Sequence, residues 1–216
     1  MSTSATLAAI DLRKYGGFED YSRHLSSSNN FSRDIKKARR LGYQAHIFNR
    51  NNHIPDIVEI RRSLKWRASG PVLEAFIPLS RSLGQIPGSA LPLTPPMCAN
   101  HWEVSIGLFL PQPGHRQGNV VVDRKLVAYM QMDRTGNTVC WADGMAHGEH
   151  MRRGAMKLLH VTIVEWLLDN NNPLSRGVQY FAYGAIEAGR HGLCQWKHQA
   201  LFAPHRIRLP VQTPVS

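Results

Sequence analysis

Acidic residues are scarce in this chain of 216 residues: 15 Asp and Glu stand against 26 Lys and Arg, giving a formal net charge of +11 and a sequence pI near 10.1. An excess of that size draws a protein toward polyanions such as nucleic acid, acidic carrier proteins or phosphorylated cofactors. Cysteine is scarce as well. Cys98, Cys140 and Cys194 are odd in number and lack CxxC spacing, which excludes a disulfide framework and a zinc knuckle and fits a reducing compartment. No apolar run is long enough to cross a bilayer, and the short apolar patch near the N-terminus has no basic region ahead of it. The expectation is a cytoplasmic protein with no membrane span and, with 43% hydrophobic residues, a genuine core.

Several chemistries are missing too. There is no GxxxxGK[ST] phosphate loop, no GxGxxG after a strand, no GxSxG elbow and no HExxH. His147, Glu149 and His150 offer an H-x-E, but the deaminase pattern also needs a later PCxxC, which is absent. Metal sites need three or four converging ligands, so no metal is expected there.

What is present begins with charge clusters. FSRDIKKARRLG places Phe31, Ile35 and Ala38 at helical spacing, with Ser32 as candidate N-cap and Gly42 beyond the end. Its other face carries Arg33, Lys36, Lys37, Arg39 and Arg40. YQAHIF reads as a strand, and Pro55 opens a second helix lined by Ile57, Ile60 and Leu64, with Arg61, Arg62, Lys65 and Arg67 as a second basic cluster. Arg33, Lys36, Lys37, Arg40, Arg61, Arg62 and Lys65 are therefore the candidate polyanion-binding residues. Residues 1–30 carry weaker signals and read as an N-terminal segment, with a polar turn at Ser26 to Asn30, ahead of a single domain over 31–216.

The Pro/Gly-rich stretch from Gly84 to Pro96 reads as an extended loop. Beyond it the pattern predicts an antiparallel meander: HWEVSIGLFL, a short VVVD, then LVAYMQM joined through DRTGN to TVCWAD. One long helix from Arg152 to Asp169 follows, with Ala155, Leu159, Ile163, Trp166 and Leu167 as its buried stripe. VQYFAYGAI is a buried strand, LCQWKHQALF a last helix, and FAPHRIRLPV supplies a last strand. Together these make an α/β layer fold around one mixed sheet. The Gly/His-rich turn ahead of the long helix is a natural anion site, because a helix N-terminus offers free N–H groups and a positive dipole end.

Read as a unit, the C-terminal third resembles the GNAT superfamily of N-acyltransferases, and within it the Fem-type branch of aminoacyl-tRNA-dependent transferases that build peptidoglycan bridges. The carrying residues are Tyr183-Gly184 on a strand, Gly192-Leu193 in a turn and the aromatic–lysine pair Trp196-Lys197 on the last helix. RDIKKARRLGYQAHIF resembles the N-terminal part of such domains, and the likeness covers residues 30–208. It implies a GNAT-like mixed central sheet flanked by helices. Acyl-CoA-using members carry [QR]-x-x-G-x-[GA] at the start of the long helix, whereas this chain reads Met151-Arg152-Arg153-Gly154-Ala155-Met156. That departure moves weight from acyl-CoA or acyl carrier protein toward an aminoacyl-tRNA donor.

The resemblance then implies an acyltransferase that moves an acyl or aminoacyl group onto a small-molecule or peptide amine, forming an amide with no tightly bound cofactor. The amine attacks the donor carbonyl directly. Backbone N–H groups near Asp143 to Met145 polarise that carbonyl, and His147 or Glu149 accepts the amine proton. Arg152, Arg153 and Gly154, with Met145 and Trp196, receive the donor, and Lys197 supports the leaving group. Two alternatives remain open at this point: a CoA- or carrier-protein-dependent N-acyltransferase, and a non-catalytic nucleic-acid-binding protein.

Overall fold

The computed structural model describes residues 3–28, 31–63, 66–67, 70–71, 87–186 and 191–209. Lys65 and Leu64 lie outside them, as do residues 84–86 of the expected loop. The chain runs β1 (Thr3–Asp11), α1 (Phe18–Ser28), α2 (Phe31–Arg39), β2 (Gln44–Ile47) and, after a 3-10 turn at Arg50–His53, α3 (Ile54–Arg62). Two short hairpins, β3 (Trp66–Arg67) with β4 (Gly70–Pro71) and β6 (Arg116–Gln117) with β7 (Val120–Val121), flank β5 (His101–Pro111) in sequence. Then come β8 (Arg124–Thr135), β9 (Thr138–Ala146), α4 (Gly148–Arg152), α5 (Ala155–Leu168), β10 (Tyr180–Ala185), α6 (His191–Gln199) and β11 (Ala203–Leu209).

Seven strands form one mixed sheet in the order β11-β1-β10-β9-β8-β5-β2. The meander of β5, β8 and β9 is antiparallel, as its alternating pattern predicts, and β10 joins β9 in parallel. A parallel neighbour requires a crossover, which α4 and α5 supply. Residues 3–28 do not stand apart from this sheet: β1 lies between β10 and β11, and α1 buries Tyr21 and Leu25 in the main core. The polar turn expected at Ser26 is instead the end of α1, and Ser32 lies inside α2, its Oγ 2.8 Å from Ser26 Oγ.

Alternation along the strands divides the core between two faces. Trp102, Val104, Ile106 and Leu108 of β5 face the helical layer containing α1, α2 and α5, while Phe109, Leu126, Tyr129 and Met145 form a second cluster with Ile57 and Ile60 of α3. The single long helix read from the sequence is two. α4 ends at Arg152, and Gly154, at φ 86°, caps the start of α5. A Cβ on Gly154 would lie 2.9 Å from the Asp34 carbonyl oxygen of α2, so this glycine lets two helices touch backbone to backbone. α5 is buried nearly all round because α1 and α2 cover its outer side, and each large apolar side chain so enclosed contributes about 1.5–3 kcal/mol.

His160 of α5 sits in that layer with 0% exposure. The Tyr21 hydroxyl donates to the Ala200 carbonyl at 3.1 Å, leaving its oxygen to accept from His160 Nε2 at 3.0 Å. Phe31, Phe181, Trp196 and Phe202 surround the ring. Burial pushes its pKa down to about 3.

Two outcomes follow from these contacts. An unfolded chain protonates His160 near its ordinary 6.5 while the native state resists until about 3, so stability is full above 6.5 and is lost as pH falls through that window. The slope due to this residue is at most about 1.4 kcal/mol per pH unit. Urea unfolding at a series of pH values should show His160→Phe losing that part of the slope between pH 6.5 and 4.5; parallel curves for the two proteins would refute the assignment. Gly154→Ala combines a left-handed backbone with overpacking against Asp34, and should lower the unfolding free energy by about 1–3 kcal/mol in the same assay at pH 7.

Candidate active site

The parallel pair shares three residue pairs, Tyr180 with Thr138, Phe181 with Val139 and Ala182 with Cys140, and then parts. Each strand carries an irregularity just beyond the last shared pair. On β9, Gln131 opposes Asp143 and Met132 opposes Trp141, so Ala142 is an extra residue bulged out of the β8 ladder. On β10, Leu7 opposes Ala185 and Ala9 opposes Ala182, which puts the extra residue at Tyr183–Gly184, where Gly184 takes φ 56°. The result is a V that opens toward the carboxyl ends of both parallel strands, the crevice in which open α/β sheets bind their ligands. Among the described residues no strand pairs with the edge of β9 beyond Cys140, so its outward N–H groups near Asp143 to Met145 face the V.

On the helical face of the V, the Trp141 and Tyr183 rings stack at 4.0 Å and Trp196 of α6 stands edge-on to both. Lys197, beside it, is only 2% exposed. Its Nζ donates to the Ala185 carbonyl at 2.6 Å and lies 5.2 Å from the Tyr183 ring centroid. Burial pushes the ammonium pKa down, which favours giving up a proton. The Tyr-Gly and Trp-Lys pairs singled out in the sequence therefore meet at the mouth of the V.

On the other face stands Asp143, read from the sequence as a candidate catalytic residue. Its Oδ2 accepts from Arg50 at 3.1 Å, from Arg61 and from the Tyr129 hydroxyl at 3.3 Å, while Arg61 Nε donates to the Tyr129 oxygen at 2.7 Å. Burial, with Asp143 adding to it, pushes the Tyr129 pKa up to about 12, so this hydroxyl stays protonated. Arg61 is thus turned inward at 13% side-chain exposure, whereas its neighbour Arg62 is exposed. Sequence reasoning missed Arg50, 93 residues from Asp143, and Tyr129, which meets Asp143 from the neighbouring strand β8.

At the same end of the sheet, α4 starts directly after β9. His147 caps it, its Nδ1 accepting the Glu149 N–H at 3.3 Å, and the Gly148 N–H donates to Ser63 Oγ at 2.8 Å. That acceptor role leaves the proton of a neutral His147 on Nε2, which lies 3.6 Å from Glu59 Oε1. Glu149 is paired with Arg153. His150 Nδ1 lies 2.8 Å from the Tyr43 hydroxyl, and burial followed by repulsion from His147 pushes its pKa down, so it is a neutral imidazole at pH 7. His147, Glu149 and His150 bring one ligand atom each within 4.8 Å of one another, and the Glu149 carboxylate of that cluster is already paired with Arg153.

Arg152 and Arg153 are exposed at the α4–α5 junction. The backbone N–H groups of Arg153 and Gly154 already donate to His150 and Met151 carbonyls, so they form no open cradle for a diphosphate. Because Gly154 abuts Asp34, the two arginines adjoin α2, where Arg33, Lys36, Lys37 and Arg39, with Arg40 just beyond its end, are all exposed. Two clusters separated by more than a hundred residues thereby form one basic surface. Met145 is buried against α3. No helix among the described residues is long and apolar enough to cross a membrane.

No family model matches this chain, and no curated protein matches it significantly. Among solved structures, FemX is similar with a TM-score of 0.56 at 7% identity, over 92% of this chain and 59% of that one. L-PGS from Bacillus licheniformis aligns at a TM-score of 0.49 and 12% identity, over 96% of this chain and 59% of that one. The C-terminal domain of a proposed lysylphosphatidylglycerol synthetase from Agrobacterium fabrum aligns at 0.45 and 15% identity, over 96% and 60% respectively. This chain thus spans about three fifths of the length of the structures it matches. At these identities the likeness to FemX speaks to architecture alone, and the architecture is GNAT-like: a mixed central sheet flanked by helices and split between two parallel strands.

Proposed function

We propose that this protein is an amide-forming acyltransferase that takes an aminoacyl group from aminoacyl-tRNA and passes it to an amine. The observation that carries the reading is the V between β9 and β10, with buried Lys197 at its mouth. FemX, which shares the fold, supports the choice of branch. The basic surface of α2 with Arg152 and Arg153 suits a phosphate backbone, and the occupied N–H groups of Arg153 and Gly154 weigh against a CoA diphosphate held by the main chain.

In the reaction the acceptor nitrogen attacks the ester carbonyl, a carbon–nitrogen bond forms and the carbon–oxygen bond to the tRNA 3′ end breaks. N–H groups on the free edge of β9, near Asp143 to Met145, receive the developing oxyanion. The neutral His150 imidazole, in the cluster with His147 and Glu149, takes the amine proton. Lys197, already pushed toward deprotonation, gives its proton to the leaving oxygen. Trp196 and the Trp141–Tyr183 stack offer flat surfaces to the terminal bases of the donor.

The reading is tested with purified protein, a mixed pool of labelled aminoacyl-tRNA and a panel of amines. Label should move from ester to hydrazine-stable amide, and Lys197→Met, which keeps the buried volume, should lower the rate about 10²-fold with unchanged circular dichroism. Exchanging Lys36, Lys37 and Arg152 for Glu should weaken tRNA binding and flatten its dependence on salt. Salt-dependent tRNA binding without any transfer would mark a nucleic-acid-binding protein instead, and transfer from acyl-CoA would overturn the donor assignment.

A further inference from the structure

The face of the sheet that carries α3 holds a cavity of about 430 Å³, within the range that small-molecule sites occupy. Phe48, Ile54 and Ile57 make one wall, Glu103 and Ser105 of β5 the floor, and Leu93 part of the roof. The roof is anchored. Asn52 holds Leu91 at both its N–H and its carbonyl, each at 2.8 Å, and Asn49 Nδ2 donates to the Pro92 carbonyl at 3.1 Å. The chain itself thus holds the lining in place, and a ligand need not order it first.

Two opposite charges face this cavity without meeting. Arg50 enters it from the turn before α3 and spends only Nη2, on Asp143 at 3.1 Å; its Nε and Nη1 have no hydrogen-bond partner among the described residues. Glu103 is exposed and, among the described residues, its carboxylate makes neither an ion pair nor a hydrogen bond. Ser105 stands in the same cross-strand row as Asp143, which marks the Arg50 end, and Glu103 lies two residues further along β5, about 7 Å away. These are the two charged residues of the lining, so its net charge is zero while its ends differ in sign. Unspent guanidinium N–H groups suit a carboxylate, and a carboxylate suits an ammonium.

We propose that this cavity binds a free α-amino acid with a large apolar side chain: Arg50 receives the carboxylate, Glu103 the ammonium, and Phe48, Ile54 and Ile57 the side chain. A zwitterion matches both charges at once, whereas a lone anion meets Glu103 and a lone cation meets Arg50 as a repulsive element. The bound molecule is not the acyl acceptor. Its nitrogen is protonated and held, so it has no lone pair for attack, and β8 separates β5 from β9 by about 10 Å in all. It is a second ligand, linked to the V through Arg50, whose Nη2 reaches Asp143 beside the free edge of β9. The inference goes beyond the acyltransferase reading and does not depend on it.

The probes are phenylalanine, N-acetylphenylalanine, which lacks the ammonium, and phenylalaninamide, which lacks the carboxylate. Each is titrated into the 15N-labelled full chain with no tRNA and no other amine present. Phenylalanine should shift the backbone signals of Phe48, Thr94, Ser105 and Asp143 saturably, and each of the other two should bind about tenfold more weakly or worse. Glu103→Gln, a change at an exposed position, should weaken phenylalanine about tenfold and should not weaken N-acetylphenylalanine. Equal affinity for phenylalanine and either analogue, an unchanged phenylalanine affinity in the variant, or no saturable shifts at these residues would each overturn the proposal. Phenylalanine bound as described in a protein that transfers no aminoacyl group refutes the acyltransferase reading and keeps the amino-acid site. Transfer by a protein that does not bind phenylalanine does the reverse.

Discussion

The arrangement depends on two strands that begin as neighbours and cannot stay so. After Ala182 and Cys140, an extra residue on β9 and another at Tyr183–Gly184 on β10 turn the strands away from each other. A bulge raises local twist and bends its strand, so one on each partner, facing opposite neighbours, separates what the ladder had joined. The cost is a run of strand edge without a ladder partner, tolerable only where solvent or a ligand completes it. On the helical face, just past the last shared pair, the Trp141 and Tyr183 rings stack at 4.0 Å and link the two parting strands. Lys197 then satisfies the first carbonyl past the bulge, Ala185, which ties α6 to the mouth of the V.

Much of this was legible in the sequence, because the meander and α3 follow from alternation and helical spacing. The remainder failed for identifiable reasons. β1 is written in small residues, and Ala8, Ala9 and Ile10 are buried in succession, so a strand in the interior of the sheet shows no two-residue alternation. α1 is rich in serine and glutamate or aspartate, and only Tyr21 and Leu25, four residues apart, mark its inner face. Tertiary packing overrode the propensity signal in both cases.

The candidate site divides in the same way. Tyr183-Gly184 and Trp196-Lys197 are local pairs, so their prominence survives in one dimension, and the structure supplies the reason: Gly184 occupies a left-handed position in the bulge. Arg152, Arg153 and Gly154 were read as the start of a long helix, whereas the chain spends that glycine on a close approach to Asp34, a contact 120 residues away that no local pattern encodes. Arg61 belongs to a run of basic residues that reads as a polyanion-binding cluster. One helical step, about 100°, separates it from exposed Arg62 and turns it toward Asp143.

The two faces of the sheet are covered by different elements, and this bears on how two substrates would meet. The basic surface of α2, Arg152 and Arg153 lies with the helical layer, whereas the carboxylates Glu103 and Asp133 lie on the face covered by α3. On the proposed reading, the polyanionic donor lies along the basic surface of the helical layer. An intact sheet would separate what lies on its two faces by about 10 Å, the spacing of packed layers. The V is where that barrier is interrupted, since beyond Cys140 and Ala182 there is no ladder to cross. On the proposed reading, the donor carbonyl enters from the helical side past Lys197, and the neutral amine meets it within the V. The splayed strands then serve as the passage through which donor and acceptor reach each other across the sheet.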